Sequence, residues 1–172
     1  MKAKATLLLH FHLIGKIDST RYTFLRLLKL LKPCLCWLLC MAGADNTMSC
    51  APKFPISILH IHAKDDDYVL FTGGAGKPFG DKSTVTDFVS VPDSIAKWVK
   101  LNACPSPPKK VLQAKNVSCE LYSGCKNNTR IELCVTEDGG HSWPGGKKPR
   151  EGKGTRAISA DETKRDFFNN GI

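Results

Sequence analysis

The chain has 172 residues, 42% hydrophobic and 24% charged, a globular composition sized for one domain and unlike that of a disordered tail. Its formal net charge of +9 is concentrated at the start: residues 1–40 hold seven Lys/Arg against one Asp, and the remainder holds eighteen against fifteen. The later lysines are scattered (Lys109-Lys110, Lys147-Lys148) and form no basic face interleaved with aromatics, so no nucleic-acid partner is expected.

Residues 1–40 read as a basic, apolar leader, and residues 41–172 as a separate, partial domain. Met1-Lys2-Ala3-Lys4 followed by Ala5 to Gly15 imitates the charged and apolar regions of a signal peptide, although His10 and His12 interrupt the apolar part. Between Thr23 and Leu31 two apolar residues alternate with one basic residue, which sets Arg26, Lys29 and Lys32 on one helix face. Pro33 to Ala44 then forms an apolar run ending in Ala42-Gly43-Ala44, a small-residue cleavage pattern. That run is too short, and too closely flanked by lysines, to span a bilayer. Three readings stay open for the leader: an export signal, an amphipathic helix touching a membrane through residues 23–44, and a non-native start.

From Ser49 onward strand and helix signals alternate, which predicts an α/β domain. Ile56 to His62 is a nearly continuous apolar strand of the kind buried on both faces of a parallel sheet. Phe71 to Asp81 holds too many glycines for a regular element. Ser90-Val91-Pro92-Asp93 opens a helix, because proline suits the first turn and Asp93 complements the positive end of the dipole. Ile95, Trp98, Val99 and Leu101 form its apolar stripe, and Asn102-Ala103-Cys104-Pro105 ends it. Two strands follow, roughly Val117 to Tyr122 and Arg130 to Thr136, divided by a turn over 123–128. Ser159-Ala160-Asp161-Glu162 caps a closing helix that buries Phe167 and Phe168.

Chemistry concentrates at two strand ends. Glu137-Asp138-Gly139-Gly140-His141-Ser142-Trp143-Pro144-Gly145-Gly146 sets a histidine in a glycine-rich loop beside a large aromatic, and the earlier strand empties into Asp65-Asp66-Asp67. A serine hydrolase needs an acid to fix the tautomer of its base, and acid-then-base is the chain order of α/β-hydrolase triads. His141 suits the base, Trp143 can wall a substrate pocket, and spacing alone does not choose among Asp65, Asp66 and Asp67. A rival reading takes His60 and His62, which share one face of their strand, as zinc ligands; the simpler alternative is a pair of buried histidines bonded to their neighbours. Eight cysteines without paired C-x-x-C spacing point to an oxidising compartment. Cys104, Cys119, Cys125 and Cys134 lie close enough in sequence for two bridges, while Cys34, Cys36 and Cys40 sit in the apolar run and Cys50 stays unassigned. The sequons Asn116-Val117-Ser118 and Asn127-Asn128-Thr129 fit an exported protein.

The combination of Cys50-Ala51-Pro52-Lys53, Ile58-Leu59-His60-Ile61-His62, Asp65-Asp66-Asp67-Tyr68-Val69, Ser90-Val91-Pro92, Trp98, Asn102-Ala103-Cys104-Pro105, Tyr122-Ser123-Gly124-Cys125 and Gly139 to Gly146 resembles the polyhydroxybutyrate depolymerase and feruloyl esterase-like secreted serine esterases. The resemblance runs from about Met41 to the C-terminus. It implies the C-terminal half of an α/β-hydrolase, with a short, incomplete, mainly parallel sheet flanked by helices. It also implies hydrolysis of a carboxylic ester without a cofactor or metal, a polyester or aryl-ester substrate, and an extracellular or periplasmic home. The family's acid, four residues after the histidine of an H-G-x-x-D pattern, falls on Asp66, its base on His141, and its disulfide on Cys104 with Cys125. The chain departs from the pattern at Ala63 in place of glycine, at Leu70 in place of proline, and in holding no G-x-S-x-G turn. The expectation is therefore a chain that keeps acid and base, has little activity by itself, and exposes a sheet edge prone to self-association. A non-catalytic binding domain derived from such an esterase is the alternative.

Overall fold

Strand β2, Ile58–Ala63, is buried at every position and forms the axis of the domain. In the computed structural model the described residues are 39–41, 52, 54–74, 76, 88–147 and 152–169, with backbone alone described for 39–41. The signal-like and amphipathic readings of residues 1–38 and the cleavage pattern at 42–44 lie outside them. Among the described residues no helix is long and apolar enough to cross a membrane.

The expected strand began at Ile56, but the ladder starts two residues later because a side chain takes Ile56 instead. Its N–H donates to Asn102 Oδ1 (3.2 Å) and its carbonyl accepts from Asn102 Nδ2 (2.6 Å). Asn102 is wholly buried and closes helix α1, Val91–Leu101, so this one amide ties the entry of the strand to the exit of the helix. At the other end of α1, Ser90 Oγ accepts from the N–H of Asp93 (3.1 Å), the cap that the Ser-Val-Pro-Asp sequence announces.

Four more strands complete the sheet: β1 (Leu39–Met41), β3 (Lys109–Ala114), β4 (Val117–Tyr122) and β5 (Ile131–Thr136), in the order β1-β2-β5-β4-β3. The expectation of a mainly parallel sheet flanked by helices is corrected here. Among β2 to β5 one pair, β2 with β5, is parallel and two are antiparallel, and the three-residue β1 adds a parallel edge to β2. Connection length is the reason. A parallel return needs a crossover of about a dozen residues or more. Only two residues, Lys115 and Asn116, join β3 to β4, with Asn116 at φ 63°, and a short turn joins β4 to β5, so both links must be hairpins. The chain from β2 to β5, which contains α1, β3 and β4, is long enough for the parallel return.

Among the described residues two α-helices cover the sheet. Alternate residues of β2 point to opposite faces. Ile58 packs with Val91, Ile95 and Trp98 of α1 and with Ile131, while Leu59 and Ile61 pack with Val117, Cys119, Cys134 and with Ala160 and Phe167 of helix α2, Ala160–Asn169. Phe168 packs at the edge of the second cluster. Strand β3 escaped the sequence reading because Lys-Lys-Val-Leu-Gln-Ala is exposed at all positions but Leu112 and carries no one-sided apolar alternation.

Among the described residues two disulfides cross the domain. Cys104, just after α1, is bonded to Cys125, and Cys119 is bonded to Cys134 directly opposite it across β4 and β5, with Cα atoms 4.1 Å apart. The first is the pairing that the resemblance implied; the second joins the other two of the four closely spaced cysteines. Both are compatible with an oxidising compartment.

Candidate active site

The parallel pairing of β2 with β5 runs in register from Ile58 opposite Ile131 to Ala63 opposite Thr136, so both strands release their loops at the same end of the sheet. The N–H of Lys64 donates to Thr136 O (2.8 Å) and carries the ladder one step past the strands. Three consecutive carboxylates follow, and the structure gives each a different task. Asp65 Oδ1 accepts from the N–H of Gly140 (2.8 Å), which fastens the second loop to the first. Asp66 turns inward and is buried, with Oδ1 accepting from the N–H groups of Tyr68 (2.9 Å) and Val69 (3.0 Å). Asp67 faces outward to Lys153 Nζ (2.8 Å).

That arrangement leaves Asp66 Oδ2 for His141, whose Nδ1 lies 3.0 Å away. Gly140 stands at φ 55°, a left-handed conformation that brings the following ring over the acid, and a Cβ there would press on the side chain of Lys153. The imidazole is 24% exposed and the carboxylate wholly covered, so the ring has one edge on the acid and another toward the surface. The ring of Tyr68 packs beside it with centroids 5.2 Å apart. Burial opposes the charge on Asp66. The hydrogen bonds from His141, Val69 and Tyr68 together outweigh it and hold the carboxyl below the ordinary aspartate range. An ionised Asp66 only accepts, so the hydrogen of the facing imidazole sits on Nδ1 and the lone pair on Nε2. A ring held this way can take a proton from a hydroxyl at Nε2 and return it.

Other sequence candidates fall elsewhere. Trp143 is partly buried against the Leu59 cluster, and Lys164 of α2 lies 5.7 Å from its ring centroid. A cleft of ≈ 670 Å³ opens between Gly145 to Lys147 and the start of α2 near Ser159 and Glu162. It is lined by neither Asp66 nor His141. His60 and His62 point to the α1 face of β2 and contact each other, with His60 Nε2 3.3 Å from His62 Nδ1 and His62 Nε2 2.9 Å from Val69 O. The described residues that cluster at metal-binding distance are Cys119, Glu132 and Cys134, and their two sulfurs are consumed in a disulfide. Asn116 and Asn127 of the two sequons are exposed. The sequence reading missed Asp65, Val69 and Lys153 as supports of the site. A backbone amide and a lysine eighty-six positions away leave no mark in local spacing.

No family model matches the sequence. The chain is 31% identical over 98 residues to feruloyl esterase B of Piromyces equi, a match that covers 57% of this chain and 18% of that protein. The similarity supports an esterase-like relationship, carried by a chain that spans less than one fifth of the length of the relative it matches.

Proposed function

We propose that the chain carries the acid–base part of a secreted serine esterase of the polyhydroxybutyrate depolymerase and feruloyl esterase-like kind, with Asp66 as the acid and His141 as the base. The observation that supports this most is the 3.0 Å contact between His141 Nδ1 and an Asp66 carboxylate already fixed by two backbone N–H groups. In the proposed relay a serine hydroxyl gives its proton to His141 Nε2 as its oxygen attacks the ester carbonyl. His141 then passes the proton to the departing alcohol, and Asp66 stabilises the transient imidazolium. The reverse sequence with water in place of the serine releases the acid. No serine of this sequence stands in a G-x-S-x-G turn, so the nucleophile is the part of the relay to which no residue is assigned. The proposal includes weak turnover by the chain alone, since most of the rate in such a relay requires all three groups acting as a unit. The test is hydrolysis of a short-chain p-nitrophenyl ester by the purified chain, beside His141→Ala. The expected result is a rate close to that of His141→Ala. Robust turnover that His141→Ala abolishes would retain the base and overturn the inactivity, whereas robust turnover untouched by the substitution would overturn the relay itself.

A further inference from the structure

We propose that His62 is the positioning residue of the acid, gripping Val69 through a buried hydrogen-bond chain with a single proton arrangement: His60 Nε2–H to His62 Nδ1, and His62 Nε2–H to the Val69 carbonyl. The deduction starts at the far end. A carbonyl oxygen only accepts, so the 2.9 Å contact with Val69 O requires a hydrogen on His62 Nε2. A neutral ring protonated there presents a bare Nδ1, and the 3.3 Å contact from His60 is then a donation by His60 Nε2. Both rings are buried, His60 at 3% exposure and His62 at 1%, and the same burial pushes His60 down to about 3, with His62 also lowered, so both stay neutral near pH 7.

The consequence falls on Asp66. Val69 is held from both sides, its N–H by Asp66 Oδ1 at 3.0 Å and its carbonyl by His62. Oδ1 is thus committed to the turn formed by Tyr68 and Val69, and Oδ2 is left toward His141, with His62 Nε2 3.6 Å away as a second, longer neighbour. Strand β2 is rigid through its ladder to β5, so the histidine at its end transmits the position of the sheet to the acid loop. Removing the donor leaves the buried Val69 carbonyl without this partner and frees the turn that aims the carboxylate.

The catalytic meaning of this strap rests on the proposed Asp66–His141 relay, but its test does not. Long-range ¹H–¹⁵N correlation on the ¹⁵N-labelled, unsubstituted chain at pH 7 should show both His60 and His62 protonated on Nε2 alone. A hydrogen on His62 Nδ1 overturns the proposal. Amide exchange then separates aiming from general structure. His62→Phe should speed exchange at Tyr68 and Val69 by about tenfold or more, the loss of one buried hydrogen bond, while the β5 amides keep their protection. His62→Gln, which keeps a donor at the same reach, should restore most of it. Equal exchange in His62→Phe and the unsubstituted chain, or no rescue by glutamine, overturns the role. Should His62→Phe fail to fold, the tautomers and the glutamine variant still decide. Correct tautomers and exchange beside robust ester turnover that His141→Ala leaves untouched would leave the strap standing and remove the relay.

Discussion

Lowering the pH from 7.5 to 5 should destabilise this domain by about 2 kcal/mol through His60 alone, an effect large enough to isolate with one substitution. The ring of His60 is buried, and burial followed by the neighbouring His62 lowers its pKa from 6.5 to about 3. Between those values the unfolded chain binds a proton that the folded chain refuses, so stability rises with pH across the window and falls as the solution is acidified. At pH 5, 1.5 units below the unfolded value, the linkage at about 1.4 kcal/mol per unit gives about 2 kcal/mol. His62 is lowered for the same reason and adds in the same direction. Asp66 stays silent in this range, because its depressed pKa gives a contribution that is complete above the unfolded value of 3.8 and is lost only as pH falls through the folded one. Glu132 acts with the opposite sign. Burial raises it above 4.5, so below its folded pKa the folded state holds a proton more readily than the unfolded chain, and stability is gained on acidification. A Glu132→Gln background removes that offset. The assay is urea unfolding at pH 7.5, 6.5, 5.5 and 5.0 with disulfides intact, followed by the fluorescence of buried Trp98. In that background His60→Leu should lose about 2 kcal/mol less than its parent across the range. Parallel pH profiles for the two proteins would refute the buried, neutral state of His60, whatever their absolute stabilities.

Three further outcomes follow from the same geometry. Asp66→Ala leaves the Tyr68 and Val69 N–H groups without their acceptor and should cost about 2–4 kcal/mol in urea unfolding, whereas Asp67→Ala, whose carboxylate meets Lys153 at the surface, should leave the urea midpoint close to that of the unsubstituted chain. Replacing Cys119 and Cys134 together by alanine opens a cross-link of sequence separation 15 and should lower stability by about 3 kcal/mol, so reduction of the intact chain should lower its urea midpoint at least as far. Gly76→Ala would drive a Cβ into the Asp67 carbonyl, where the backbone must yield; the displaced acid loop should appear as changed ¹³C shifts at Asp66 Cγ and the His141 ring, with the resonances of α1 unmoved.

Legibility in the sequence followed the strength of local constraint. Helix α1 showed itself through a cap, a first-turn proline and an apolar stripe that agree, and its bounds needed no tertiary contact to be found. The start of β2 was misplaced by two residues because Ile56, apolar like its neighbours, gives its backbone groups to Asn102, forty-six positions away. The mixed pairing of the sheet was already implicit in the turn over 123–128. Two strands separated by so short a link can only be antiparallel neighbours, and a resemblance to parallel-sheet proteins outweighed that local rule. Composition could not rank Asp65, Asp66 and Asp67, which differ only in the direction each takes after β2. The structure divides them among a backbone amide, an imidazole and a lysine.

The corrected sheet still explains why acid and histidine meet. Two strand ends lie side by side, pointing the same way, only when their strands are parallel, and β2 with β5 is the parallel pair whose C-terminal ends carry the two loops. Asp66 comes three residues after Ala63 and His141 five after Thr136, which are themselves partners in the ladder. A register slip of one residue would turn every side chain of β2 to the other face, sending His60 and His62 toward α2 and taking His62 away from Val69. A slip of two would keep the faces but displace one loop by about 7 Å along the strand, more than twice a hydrogen-bond length. The contact between Asp66 and His141 therefore depends on one parallel register, and that register is fixed by two apolar clusters on opposite faces of β2, each of which would have to come apart before the strand could shift. The antiparallel strands β3 and β4 lie on the far side of β5. Their turn meets the second loop at its start, where the N–H of Glu137 donates to Asn116 O (3.1 Å) and Asn116 Nδ2 donates to Asp138 Oδ2 (3.3 Å), so a sheet that is mixed overall can hold a site built on the parallel seam between β2 and β5.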